Sequence, residues 1–244
     1  MPEVLIGCSG FSYDHWAHGV FYPEGLARSK WLGHYTKIFR TVELNVTFYR
    51  LPLEQTFAKW MRQTPDDFIA AVKGSRFITH IKKLKDPEEP LKRLFERVKP
   101  MREKIPVVLW QLPPTFRADA ERLRQFVRAL KAYKYRHAFE FRNESWMNEE
   151  VTDILKKAGH ALCMADWPPF LDDLPLTADF VYIRRHGHGT YGADYSPEDL
   201  KRDAERIRAY KRKGKDVYIY FNNDIQGFAP KNARELMGLL KVKR

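Results

Sequence analysis

Eight short apolar runs recur along this chain, each separated from the next by a longer stretch of mixed polarity, and that alternation constrains the fold more than any other feature. The runs are Val4 to Gly7, Thr41 to Leu44, Phe68 to Val72, Val107 to Leu112, His137 to Phe141, Ala161 to Ala165, Phe180 to Ile183 and Val217 to Phe221. They are rich in β-branched and aromatic residues, as strands buried on both faces of a parallel sheet are. Strands alternating with helical segments are βα units, and eight of them are the number that closes a barrel. The predicted fold is α/β, a single (β/α)8 TIM barrel spanning residues 1–244 as one domain.

Between the runs, Leu26 to Phe39, Leu91 to Lys104, Ala118 to Lys131, Glu149 to Ala158 and Pro197 to Lys213 place apolar residues at helical spacing. Ser196-Pro197-Glu198-Asp199 reads as an N-cap followed by proline and first-turn acids, and Gly159 and Gly214 stand where C-caps belong. Pro230 is expected to open a last helix running to Leu240. The proline-rich Trp167 to Thr177 predicts an irregular crossover, and Gly74 to Pro90 predicts a long loop over the barrel top.

Forty-three Lys and Arg against thirty-one Asp and Glu give a formal charge of +12. That excess favours anionic partners, a phosphate-bearing small molecule or nucleic acid, and it also serves as a solvated helical surface. The two cysteines, Cys8 and Cys163, have neither metal-type spacing nor a disulfide framework. With no apolar run near twenty residues and no signal-peptide core, a cytoplasmic protein without a membrane partner is expected. Composition leaves the oligomeric state open.

In a barrel, side chains just past the carboxyl end of each strand share one mouth, where barrel enzymes place their sites. Here every strand delivers a polar group: Ser9, then Glu43 and Asn45, Lys73, Gln111, Glu140 and Arg142, Asp166, Arg184 and His186, and finally Asn222 and Asn223. Tyr13, Trp16, Tyr49, His80 and Trp146 stand close behind. So many ionisable groups in one place cost desolvation unless they pair or meet a ligand. Glu43 and Glu140 are the candidate general acid or base, with Lys73 and His186 beside them as catalytic candidates. Lys73, Arg142, Arg184 and His186 would hold an anion, while Ser9, Gln111, Asp166 and Asn222 would orient a substrate. Arg184 to Gly192, with Gly187, combines cations and glycines after strand seven, where barrel enzymes often bind phosphate. The aromatic residues suit packing, a lid or a ring-binding wall. No cofactor is predicted. A divalent metal held by Glu43, His80, Glu140, Asp166 or His186 is the alternative, without a short ligand motif behind it.

The segments Gly7-Cys8-Ser9-Gly10-Phe11-Ser12-Tyr13 with Trp16 and Glu43-Leu44-Asn45-Val46-Thr47-Phe48-Tyr49 stand out as motifs. Gln111-Leu112-Pro113-Pro114, Glu140-Phe141-Arg142 with Ser145-Trp146, Tyr182-Ile183-Arg184 with His186-Gly187, and Tyr220-Phe221-Asn222-Asn223 follow in order. On these motifs the sequence resembles the YecE-like family of uncharacterised proteins along nearly its whole length. The resemblance implies a TIM barrel and marks site candidates, without supplying a reaction. Val46 departs from the small polar residue usual in that pattern. The leading expectation is an enzyme, hydrolytic or phosphoester-cleaving, acting on an anionic substrate. The alternatives are a metal-dependent nuclease-like enzyme and a non-catalytic module that binds a ligand or nucleic acid.

Overall fold

The computed structural model describes residues 2–244. Eight parallel strands close on themselves: β1 (Val4–Ser9), β2 (Thr41–Leu44), β3 (Ile69–Lys73), β4 (Val107–Gln111), β5 (Arg136–Glu140), β6 (Ala161–Ala165), β7 (Phe180–Arg185) and β8 (Asp216–Phe221). β8 returns beside β1 over Val4 to Cys8, which completes the ring. The chain is therefore a (β/α)8 barrel. Among the described residues no helix is long and apolar enough to cross a membrane.

Strand side chains alternate between the barrel axis and the outer layer. Leu5, Ala71, Leu109, Ala138, Cys163, Tyr182 and Tyr220 fill the axis. Their neighbours, among them Ile6, Val42, Val108, Trp110 and Phe139, pack under the helices in a second cluster. Gly7 points inward where β1 and β2 nearly touch, and a Cβ there would lie 2.2 Å from the Thr41 carbonyl oxygen. The Tyr35 hydroxyl sits in the same seam, accepting the Cys8 N–H and donating to Thr41 O, both at 2.9 Å.

The covering helices are α1 (Trp31–Tyr35), α2 (Val46–Tyr49), α3 (Glu54–Gln63), α4 (Glu88–Val98), α5 (Ala120–Leu130), α6 (Glu149–Ala158), α7 (Pro197–Arg212) and α8 (Phe228–Leu240). Ser196 caps α7 with a reciprocal Asp199 bond, and Gly159 ends α6 in the left-handed conformation, as the sequence predicts. No α-helix follows β6, whose crossover holds only a 3-10 turn at Pro169–Leu171.

Four expectations need correction. The helix predicted over Leu26 to Phe39 shrinks to α1 and a 3-10 turn. Gly33 weakens it, and its aromatic residues are drawn into a cluster in which Trp31 stacks on Tyr22 at 4.7 Å. α3 is absent from the helices read from periodicity, although Phe57, Trp60 and Met61 supply the spacing. The loop predicted over Gly74 to Pro90 contains a π-helical turn, Phe77–Ile81, and the first turn of α4. The last helix starts at Phe228, two residues before Pro230.

Candidate functional site

Period-two alternation carries the polar residues at the strand ends onto the axis, one layer above the apolar plug. Arg184, on β7, is the hub and is completely buried. Its guanidinium grips Glu43 of β2 through Nε (3.1 Å) and Nη2 (2.8 Å), while Nη1 donates to Glu140 of β5 at 2.8 Å. Ser9 Oγ and the Tyr182 hydroxyl donate to Glu43 at 2.7 and 2.6 Å. Arg142 pairs with the other oxygen of Glu140 and donates to the Trp167 carbonyl at 2.6 Å. Its guanidinium lies 4.5 Å above the Trp167 ring, which itself rests against Gly189.

This geometry fixes the ionisation of the acids. Burial alone pushes both carboxyls up, but the opposing charges outweigh it. Arg184, Lys73 and the Tyr182 and Ser9 hydroxyls hold Glu43 below its ordinary value. Arg142, Arg184 and His186 hold Glu140 well below it. Both are carboxylates at neutral pH, without a proton to give. The arginines that were candidate anion holders are committed to them.

His186 Nε2 faces Arg142 at 2.9 Å and Arg184 at 3.5 Å, and the Asn222 amide lies 3.0 Å from Nδ1. The Asn222 Nδ2 amine can only donate, so Nδ1 accepts from it with its lone pair, while Nε2 also lies 3.4 Å from the Glu140 carboxylate. Burial, with the charges of Arg184 and Arg142, lowers the imidazole to about 4 against the pull of Glu140.

Lys73 differs from the rest. It is buried at the end of β3, 6% exposed, with Nζ 4.2 Å from the centre of the Phe48 ring. Among the described residues its ammonium makes no ion pair within 4 Å and no hydrogen bond. Burial and Arg184 lower it to about 7, against the pull of Glu43 and Glu140. Two carboxylates therefore face three cations, and the third is the unpaired Lys73.

The other predicted residues sort by place. Gln111 stands half-buried at the end of β4, in register with Glu140. Asp166 accepts the backbone N–H groups of His186 (2.7 Å) and His188 (3.1 Å) and the Tyr195 hydroxyl. Tyr195 in turn accepts the Gly187 N–H at 2.7 Å. The N–H groups of His186, Gly187 and His188 are thus already satisfied within the chain. Asn223 ties Ala193 to Asn232. Trp16 is buried and donates to the Asp224 carbonyl, while Trp146 stacks on Phe141 at 4.7 Å beneath the surface. His80 bonds Thr79 and meets the Phe48 ring edge-on. Tyr13, Asn45 and the exposed Tyr49 line a cavity beside β1 and β2. Burial raises the Cys8 thiol far above its ordinary value, which leaves it inert as a nucleophile. Among the described residues no three His, Cys, Asp or Glu side chains gather as metal donors.

Tyr182 enters the sequence reading only as a motif residue without a role, and Trp167 and Tyr195 are not singled out there. Tyr182 shares the inward face of β7 two residues before Arg184, so the period of the strand marks it. Trp167 and Tyr195 lie in irregular segments and carry no such mark.

The family model described as "Protein of unknown function DUF72" matches residues 5–244. The chain belongs to the DUF72 family. A solved DUF72 family protein from Thermotoga maritima is 33% identical and superposes with a TM-score of 0.87, covering 98% of this chain and 99% of that one. UPF0759 protein YunF of Bacillus subtilis is 24% identical over 98% of this chain and 95% of its own length. UPF0759 protein YecE of Escherichia coli strain K12 is 31% identical over 101 residues, 41% of this chain and 36% of that protein. The YecE-like resemblance read from the motifs and the DUF72 membership agree, and neither assigns the DUF72 barrel a reaction.

Proposed function

We propose that the polar layer at the barrel mouth is the active site of an enzyme acting on a small anionic, phosphate-bearing substrate. One observation carries this reading: Lys73, its side chain packed down to the Phe48 ring, presents an ammonium with no ion pair among the described residues, beside carboxylates already neutralised by arginine. An anion at Nζ would restore the balance that the layer lacks. Near neutral pH the amine exists in both forms, the condition that suits proton transfer. In phosphoester hydrolysis the ammonium holds the phosphoryl group and gives its proton to the leaving oxygen as the ester P–O bond breaks. The attacking water's oxygen bonds to phosphorus, and the amine so formed takes the proton that water releases, which restores the ammonium. Glu43, Glu140 and Arg184 fix the field around Lys73 rather than exchange protons. His186, neutral and held by Asn222, orients Arg142.

The test is a panel of phosphomonoesters and phosphodiesters assayed with wild type and Lys73→Met, with and without chelator. Turnover that disappears in Lys73→Met while the fold is retained supports the reading. Turnover that Lys73→Met retains sinks it, and turnover lost only in chelator moves the chemistry to a metal.

A second reading, a nucleic-acid-processing or nucleic-acid-binding role, draws on the rim of the mouth. The large exposed hydrophobic side chains, Val20, Val46, Tyr49, Leu53, Phe77, Ile81, Trp167 and Ile225, all follow strand carboxyl ends. Arg50, Arg76 and Lys85 lie exposed among them. Rings interleaved with cations suit stacked bases and phosphates. Binding of an oligonucleotide that weakens steeply with salt would favour it, and salt-independent or absent binding would remove it.

A further inference from the structure

Beside the polar layer, between the carboxyl ends of β1 and β2 and the helices α1 and α3, lies a separate half-open cavity of about 500 Å3. That volume is in the range of small-molecule sites. Phe11, Tyr13 and Trp60 form its walls, and Tyr49 stands at its lip, 71% exposed. Phe11 and Trp60 meet edge to face at 6.2 Å, and Tyr13 packs on Trp16 at 4.8 Å. The walls are therefore braced from behind.

Two polar features break this apolar lining. Asn45 Nδ2 donates to the Ser9 carbonyl at 3.2 Å, which fixes the amide, while its Oδ1 is buried and receives no hydrogen bond. Asn45 lines the cavity, so a ligand N–H or O–H that displaces the atoms covering Oδ1 would reach an acceptor the chain itself leaves unsatisfied. At the rim stand Lys59, exposed and without an ion pair among the described residues, and Arg28, whose partner Asp14 is itself exposed. Both cations lie where an anionic group of a ligand seated among the rings would emerge.

We propose that this cavity binds a nucleotide: a flat nitrogen heterocycle stacked among Phe11, Tyr49 and Trp60, with an amino N–H on Asn45 Oδ1 and its phosphate toward Lys59 and Arg28. Aromatic walls favour a π-face over an aliphatic body. The orphan acceptor requires a donor on the ring edge, and the cations require a negative tail. Lys73 is not among the residues lining the cavity, so the proposal does not depend on the reaction at the mouth. The same chemistry is offered by a free mononucleotide or by one nucleotide of a single strand.

The probes are adenosine 5′-monophosphate, adenosine, ribose 5-phosphate and an adenine hexanucleotide, titrated into the full chain. Affinity is read by calorimetry, and the site by NMR of the Asn45 amide and Trp60 indole. The expected result is one site for the monophosphate, several-fold weaker binding of adenosine and none of ribose 5-phosphate. Tyr49→Ala and Lys59→Ala, both at exposed positions, should each weaken the monophosphate at least five-fold with unchanged melting temperature. Tighter binding of the hexanucleotide through the same resonances would make the source a strand, and weaker binding a free nucleotide. Ribose 5-phosphate binding as well as the monophosphate, or Asn45 and Trp60 signals that stay in place, would overturn the proposal. So would unchanged affinity in both variants.

Discussion

Replacing Arg184 with Met is the most informative single perturbation of the polar layer. Arg184 is fully buried and supplies three hydrogen bonds to the Glu43 and Glu140 carboxylates. Without it Glu43 keeps only the Ser9 and Tyr182 hydroxyls, and Glu140 keeps Arg142. Removing one member of a buried charged set leaves an uncompensated charge, at a cost of about 3–5 kcal/mol. For a chain of this size each kcal/mol moves the melting temperature by about 2–4 °C, so the drop should be roughly 6–20 °C. In the wild type both carboxyls titrate below their ordinary value, so they add stability above the unfolded-state value of about 4.3 and lose it as pH falls through the folded one. In Arg184→Met they should titrate above that value. Their penalty is then full at pH 7.5 and relieved toward pH 5. Calorimetric melts of both proteins at the two pH values measure this directly. A loss under about 1 kcal/mol, or a gap that does not narrow toward pH 5, would refute the claim that Arg184 neutralises two buried carboxylates.

Lys73→Met should stabilise the protein near pH 7 by roughly 2–4 kcal/mol, because a buried ammonium with a lowered pKa is penalised below about 7 and the penalty fades as pH rises toward the unfolded value. Chemical denaturation at pH 7 and pH 9.5 should show the difference shrinking, and a destabilised variant at pH 7 would contradict it. The His186 imidazole should stay neutral down to about pH 5 in nitrogen-15 histidine spectra, since it titrates near 4, and a midpoint near 6.5 would contradict a ring held neutral by burial between two guanidiniums. Asp166→Ala frees the His186 and His188 amides, so hydrogen exchange there should quicken at least ten-fold while β1 to β4 amides keep their rates; unchanged exchange would mean that the loop holds without the carboxylate.

The barrel was legible because its strands announce themselves twice, by apolar content and by regular spacing. β2 and β6 occupy the predicted residues, and the other six differ by a few residues at their ends, where pairing rather than composition decides. Helices with caps, such as α6 and α7, were equally clear. α1 was overread because its aromatic residues, at helical spacing, serve a cluster around Tyr22 and Tyr35 instead. At the mouth, position two residues on from an inward-facing strand residue placed Ser9, Glu43, Lys73, Glu140 and Arg184 on the axis. Pairing was not legible: nothing in the sequence says that Arg184 rather than a ligand satisfies both glutamates, or that Lys73 is the cation left over. Tryptophans near strand ends were ambiguous for a physical reason. Trp16 and Trp146 bury their rings and spend their N–H groups on the distant Asp224 and Phe116 carbonyls, while Trp167 reaches the surface and carries Arg142.

The unpaired state of Lys73 is the claim on which the proposed function rests, and its titration tests that claim most directly. In protein labelled at lysine Cε, the Lys73 resonance should titrate near pH 7 in phosphate-free buffer. Inorganic phosphate should move that midpoint upward, because a bound anion stabilises the ammonium. A Lys73 midpoint near 10 in both buffers would mean that the amine is already partnered or solvated. A midpoint near 7 that ignores phosphate would leave a buried amine without the anion site proposed for it.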